Sequence, residues 1–253
     1  MACGTEPLIL GTWVQINSPE LVELVALSGF DFAILDMEHG NIDFPSLEHL
    51  IRASESRQMR PVVRVTENDA FPIMKALDLG AKGVLIPQVE TPEEARRAVQ
   101  AAKYAPLGTR GACPFVRAGG HLIAQWEEHA HQANRDTQVI ALIESKTGVD
   151  HLDAIVATPG LDAFMIGPFD LSVSLGIAGQ VDHPLIHTTF DHAMTLAHHH
   201  QKTFLAVDFQ TDRAGVAGML ANWRERGVTT LVSGADKAMI LTSMRTQVRT
   251  LRQ

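Results

Sequence analysis

The chain has 253 residues, 45% hydrophobic and 20% charged, enough apolar material for a full-sized core and too little charge for a disordered chain. Its formal net charge of −8 argues against a partner held through nucleic-acid phosphates, and no basic run or basic helix face points to a membrane surface. Cys3 and Cys113 supply neither a disulfide framework nor a zinc pattern, no apolar stretch reaches a span's ~18 residues, and "MACGTEPLILGTW" does not read as a signal peptide, so a cytoplasmic globular protein is expected.

In chain order, the first strand candidate is "LILGTWVQI" (8–16). "SPELVELVALSG" (18–29) follows as a helix, with Ser18 as cap, Pro19 at the first helical position and Gly29 as stop. The strand "DFAILDM" (31–37) leads into the helix "DFPSLEHLIRASESR" (43–57), and "PVVRV" (61–65) into "DAFPIMKALDLG" (69–80). "GVLIPQV" (83–89) precedes the helix "TPEEARRAVQAAKY" (91–104). A long irregular stretch, 105–137, then contains a short helix near 125–133; such a loop suits an active-site lid or an oligomer contact. "QVIALIE" (138–144) pairs with the helix "TGVDHLDAIVATPG" (147–160), "AFMIG" (163–167) runs into "GPFDLS", and the helix "HPLIHTTFDHAMTLAHHH" (183–200) follows. The last two units are "TFLAVDF" (203–209) with "DRAGVAGMLANWRERG" (212–227), and "TTLVSG" (229–234) with "ADKAMILTSMRTQVRTLRQ" (235–253).

Eight short apolar runs alternating with amphipathic stretches suit buried parallel strands and crossover helices. Eight such units in about 250 residues match a (β/α)8 TIM barrel better than an open doubly wound sheet. No linker or low-complexity segment interrupts residues 1–253, so one domain is expected.

Polar residues gather where the apolar strands end. Strand two closes on Asp36-Met37-Glu38-His39, strand three carries Arg64, strand four leads to Gln88, and its loop holds Arg110. Strand five ends in Glu144, strand six leads to Asp170, strand seven ends at Asp208 and strand eight at Ser233-Gly234. Barrel enzymes place their chemistry at these ends, so the residues should converge on one mouth. Glu144 and Asp170 read either as an acid–base pair or as two oxygen ligands for a divalent cation. The bland alternatives are a salt bridge from Glu144 to Lys146 or an arginine, and a helix cap at Asp170. His39 stands beside Asp36, which can orient its ring, whereas His198, His199 and His200 read as a solvated helix end.

"LDMEHG", "PVVRV", "GAKGVLIPQVETPEEA", "YAPLGTRG", "IESKTGV" and "IGPFDLSVSLG" together resemble the HpcH/HpaI aldolase family, over nearly the whole chain from Gly11 to about Asp236. The resemblance implies a class II, pyruvate-using aldolase of the 4-hydroxy-2-oxoheptanedioate or 2-keto-3-deoxyrhamnonate type, built as a TIM barrel with its last helix exchanged in a hexamer. It implies Glu144 and Asp170 as ligands of Mg²⁺, Mn²⁺ or Co²⁺, and His39 as the catalytic base with Asp36 nearby. Arg64 would contact the keto oxygen, and Gly167, Pro168, Phe169 and Asp170 would hold the pyruvate carboxylate. Asp78 would pair with a neighbouring subunit's histidine. Leu142 stands where some members have a glutamine, which removes one polar contact. The partners implied are pyruvate, an aldehyde and a 4-hydroxy-2-oxo acid.

Three rivals stand beside this reading. A Schiff-base aldolase needs a desolvated lysine inside the barrel, and Lys75, Lys82, Lys103, Lys146, Lys202 and Lys237 fall on helices, loops or beyond strand ends. Oxaloacetate decarboxylation would use the same enolate. A non-catalytic barrel serving for assembly or binding is the third.

Overall fold

The computed structural model describes residues 8–211 and 213–253. Cys3, and Asp212 at the start of one expected helix, therefore lie outside the described residues. Eight parallel strands close a barrel in chain order, with the last beside the first. They are β1 (Ile9–Val14), β2 (Phe32–Asp36), β3 (Arg60–Arg64), β4 (Gly83–Ile86), β5 (Gln138–Ile143), β6 (Ala163–Ile166), β7 (Thr203–Asp208) and β8 (Thr230–Ala235). Most are shorter than the apolar runs that announced them, because the residues after Val14, Ile86 and Ile143 leave the ladder to form the mouth.

The helices of the first half are α1 (Pro19–Leu27), α2 (Phe44–Ser56), α3 (Ala70–Asp78), α4 (Pro92–Ala102) and α5 (Trp126–Asp136). Those of the second half are α6 (Lys146–Asp150), α7 (Leu152–Val156), α8 (Pro168–Ser174), α9 (Pro184–His200), α10 (Arg213–Glu225) and α11 (Asp236–Leu251). Local chemistry starts them: Ser18, Asp43 and Asp69 accept from first-turn backbone N–H groups, and Thr91 with Glu94 forms a reciprocal capping box. The helix expected over 147–160 is instead two short ones, α6 and α7. His151 sits between them, and its ring meets the Glu90 carbonyl at 2.9 Å. After β6, where the alternative reading put a helix start at Asp170, α8 begins earlier and is opened by Pro168.

Strand side chains alternate between two cores. Inside the barrel, Trp13, Phe32, Ile34, Val62, Leu85, Ile140, Leu142, Met165, Leu205, Val207 and Val232 pack together. The alternate positions, such as Ala33, Leu35, Val63, Val84 and Ile143, pack outward against the helices. On α11 the apolar Leu241, Met244, Val248 and Leu251 are exposed in the single chain. Among the described residues no helix is long and apolar enough to cross a membrane.

Candidate active site

The inward row of each strand turns polar one step beyond the core. On β2 the inward series Phe32, Ile34 continues to Asp36, and on β3 Val62 continues to Arg64. Asp36 and Arg64 are register partners on adjacent strands, so their side chains meet. Arg64 Nε and Nη2 donate to the two Asp36 oxygens at 2.8 and 2.7 Å. The pair is buried. Gln15 Nε2 donates to the same carboxylate at 2.8 Å, as do the Glu38 and His39 backbone N–H groups at 3.1 and 3.2 Å. Burial opposes ionisation of Asp36, but the Arg64 hydrogen bonds and charge prevail and hold its carboxyl below the ordinary range. The guanidinium lies 4.5 Å over the Trp13 ring, and Nη1 is 2.9 Å from Glu38 Oε2. That last contact is an ion pair without hydrogen-bond alignment, since the buried Glu38 oxygen has no hydrogen-bond partner.

On β5 the inward series Ile140, Leu142 arrives at Glu144, which is buried. Its Oε1 accepts from the Gln88 backbone N–H at 3.0 Å. Gln88 presents that N–H from a left-handed conformation, φ 53°, uncommon for a residue with a side chain. Gly167, next in the inward series of β6, makes room beside Glu144: a Cβ there would stand 2.9 Å from Glu144 Cβ and 3.0 Å from Oε2. Burial, with the like charges of Asp170 and Glu38, pushes Glu144 up to about 7. Glu38 is raised as well, by burial first, against the opposing charge of Arg64.

Two adjoining cavities share this mouth. One, about 220 Å³, is lined by Glu38, His39, Gln88, Glu90, Glu144, Ser145 and Asp170. The other, about 140 Å³, adds Trp13, Arg64, Leu142, Met165 and the Gly167–Pro168–Phe169 turn to His39, Glu144 and Asp170. The strand-end residues His39, Arg64, Glu144 and Asp170, drawn from four units of the chain, thus stand around one space.

Other expectations fare differently. Asp36 does not orient the His39 ring; it grips Arg64 and touches His39 only through the backbone, and the His39 ring has no hydrogen bond among the described residues. Asp170 is not a cap but lies in the first turn of α8, whose cap position is Gly167. Lys146 pairs with Asp150 at 2.5 Å and leaves Glu144 free of it. Arg110 belongs to no mouth: its guanidinium stacks 4.5 Å over Tyr104 and Nη2 donates to Asp78 at 2.7 Å. Asp78, at the carboxyl end of α3, thus has its compensating cation within its own chain, and neither mouth cavity includes it. Lys103 is buried but spends its ammonium on the Asn134 and Thr137 carbonyls, and none of the six lysines considered lines either cavity. His198 and His199 are exposed, while His200 meets Asp153 at 2.7 Å. Sequence reasoning missed Trp13, Gln15 and the Gln88 main chain; the inward parity of Trp13 and Gln15 was the available signal.

Among the described residues no group of three or more His, Cys, Asp or Glu is arranged to hold a metal ion. Glu144 and Asp170 line both cavities, and the charge of Asp170 adds to burial in raising the Glu144 carboxyl. Oxygen donors with open positions suit a hard divalent cation, whose charge would relieve that repulsion. On that chemistry the residues present fit such an ion.

The profile of the HpcH/HpaI aldolase/citrate lyase family matches residues 10–230. The 2-dehydro-3,6-dideoxy-6-sulfogluconate aldolase of Pseudomonas putida is 40% identical over 185 residues, 73% of this chain and 72% of the relative. The 5-keto-4-deoxy-D-glucarate aldolase of Salmonella paratyphi C is 38% identical over 202 residues, 80% and 78% of the two chains. Among solved structures, an HpcH/HpaI aldolase from Desulfitobacterium hafniense superposes with a TM-score of 0.89 at 29% identity, covering 98% of this chain and 93% of that one.

Proposed function

The chain belongs to the HpcH/HpaI aldolase/citrate lyase family, and from that premise we propose that it is a class II aldolase cleaving 4-hydroxy-2-oxo acids to pyruvate and an aldehyde. As a carbon–carbon lyase it is no mere assembly barrel. The observation that carries the substrate reading is the meeting of Glu144, Asp170, His39 and Arg64 around one polar mouth above an apolar floor.

In this reading Glu144 and Asp170 hold a divalent cation, Mg²⁺, Mn²⁺ or Co²⁺, which when bound supplies positive charge where the 2-oxo group gains electron density. Arg64, locked against Asp36 and Trp13, orients the 2-oxo acid with the outward edge of its guanidinium, already placed before the reaction begins. The α8 turn, Gly167 to Asp170, borders the place of the pyruvate carboxylate. His39, whose ring has no hydrogen bond among the described residues and lines both cavities, takes the proton of the substrate's 4-hydroxyl. The C3–C4 bond then breaks, its electron pair stays with the pyruvate half as an enolate, and the aldehyde departs. C3 takes up a proton to give pyruvate; the reverse order forms the bond. Leu142, Met165 and Trp13 keep water from the floor of the site.

The same reading includes a cytoplasmic homo-oligomer, with a hexamer as the expected form. The exposed apolar residues of α11 support coverage of that helix by another copy. Release of pyruvate from a panel of 4-hydroxy-2-oxo acids, with and without a chelator, tests the proposal. Turnover abolished by chelation and restored by Mg²⁺, Mn²⁺ or Co²⁺ is expected; full activity in excess chelator would overturn it.

A further inference from the structure

Asp236, the first residue of α11, is only 1% exposed, and among the residues of that helix it alone is buried. Its Oδ2 accepts from the backbone N–H groups of Gln15 and Ile16 at 2.9 and 2.8 Å, and its Oδ1 from that of Lys237 at 2.7 Å. Gln15 and Ile16 follow directly on β1, beyond the ladder, where a backbone N–H needs an acceptor other than a neighbouring strand. The pairing of β1 with β8 does not by itself fix this end, because its register shifts between Gly11 and Trp13 and sets Trp13 against Ala235. A buried carboxylate is costly unless hydrogen-bonded, and here its oxygens grip the main chain that leads out of β1.

That main chain carries both supports of Arg64. Trp13 and Gln15 stand two apart on the inward side of β1, and both line the catalytic cavity, as does Ala235. Trp13 holds the Arg64 guanidinium 4.5 Å over its ring. Gln15 Nε2 donates at 2.8 Å to Asp36 Oδ2, the same oxygen that accepts from Arg64 Nη2 at 2.7 Å. Asp236, Gln15, Asp36 and Arg64 thus form one unbroken run of hydrogen bonds from the start of α11 to the cation of the mouth.

We propose that Asp236 is a positioning residue for Arg64: it seats the end of β1 so that the Gln15 amide braces Asp36 against the arginine. The catalytic consequence rests on the aldolase reading above. Asp236 lines neither cavity of the mouth, so it acts at one remove from the substrate. Its hydrogen bonds to Gln15 and Ile16 are charge-assisted, roughly twice as strong as neutral ones. Without them the end of β1 loses its anchor and the Gln15 amide drifts from Asp36. A misplacement of about 1 Å in an orienting group can cost about 10²-fold in rate.

The test pairs Asp236→Ala with Gln15→Leu in the purified protein with Mg²⁺, following pyruvate release from a panel of 4-hydroxy-2-oxo acids. Asp236→Ala should lower kcat/KM per folded molecule by at least about tenfold. Asp236→Asn, which keeps an oxygen for the N–H groups, should recover part of that loss. In the Gln15→Leu background the alanine change should cost at least about threefold less, because the route is already cut. A second readout needs no turnover. With Trp126→Phe and Trp223→Phe, Trp13 is the one tryptophan left of three, and its emission in the metal-free protein reports the Arg64 stack. Asp236→Ala and Gln15→Leu should each shift that emission in the same direction. If Asp236→Ala melts early, Asp236→Asn serves for both measurements. A lower melting temperature with unchanged kcat/KM and unchanged Trp13 emission would overturn the inference, and so would losses that simply add. Shifted Trp13 emission in a protein that cleaves none of the panel would uphold the positioning and strike the aldolase reading instead.

Discussion

Asp36→Asn removes one charge from the buried ion pair at the barrel mouth while keeping the side chain's size. In the folded protein the carboxylate accepts from Arg64 at 2.8 and 2.7 Å, from Gln15 at 2.8 Å, and from two backbone N–H groups at 3.1 and 3.2 Å. Asparagine has one oxygen for these donors and turns an NH2 toward Arg64 or Gln15, so a donor faces a donor. Breaking a buried pair by removing one partner costs about 3–5 kcal/mol. Glu38, 2.9 Å from Arg64, still balances the guanidinium, which puts the loss near the lower end, about 3 kcal/mol. For a chain of this size each kcal/mol is worth roughly 2–4 °C, so the melting temperature should fall by about 6–12 °C. The pH dependence has a definite sign. A carboxyl held below its unfolded value of 3.8 contributes stability that is present above that value and is lost as the pH falls through the lower folded value. Melting curves of metal-free wild type and variant should therefore differ most at neutral pH and converge under acid. A variant melting within about 2 °C of wild type at neutral pH would refute the view that this pair organises the mouth.

His39→Ala should lower kcat by about 10²-fold or more with metal affinity intact, measured by steady-state kinetics and calorimetric titration; lost metal binding would make His39 a ligand instead. Glu144, raised to about 7, favours the metal-free fold in its protonated form, so stability of the metal-free protein should decline as pH rises from 4.5 to about 7. Cation binding near pH 6.5 should then release protons, seen as buffer-dependent titration enthalpies; buffer-independent enthalpies would exclude Glu144 as the ligand. Leu142→Gln should shift the KM for pyruvate in the aldol direction, because Leu142 walls the catalytic cavity as well as packing in the barrel core. If the amide finds no partner it costs about 1–3 kcal/mol, and a lower melting temperature with unchanged KM would return Leu142 to a core role alone.

The barrel was legible because eight apolar runs each kept a strand's length and Gly, Pro or Asp marked most ends. The site was legible where it follows strand parity: Asp36, Arg64 and Glu144 all continue an inward apolar series by one step. What escaped was pairing across strands. Asp36 read as a partner for His39, three residues on, when register sets it against Arg64, 28 residues away. Arg110 read as a mouth residue because it follows β4, yet the long loop carries it to Asp78 on α3. Nor does helical periodicity reveal that 147–160 breaks at His151, since the ring's contact with the Glu90 carbonyl comes from another unit of the barrel.

The support of Glu144 by the Gln88 main chain has a consequence for mutagenesis. An alanine scan deletes side chains and leaves every peptide N–H in place, so Gln88→Ala would report only the side chain's 3.5 Å contact with Glu38 and not the N–H that holds the buried carboxylate. The informative changes there act on backbone shape. Glycine or asparagine suits φ 53° and should keep Glu144 seated, while valine or isoleucine, strained at that angle, should let it drift. Substitutions at this position are thus sorted by their tolerance of a left-handed turn rather than by size, charge or polarity.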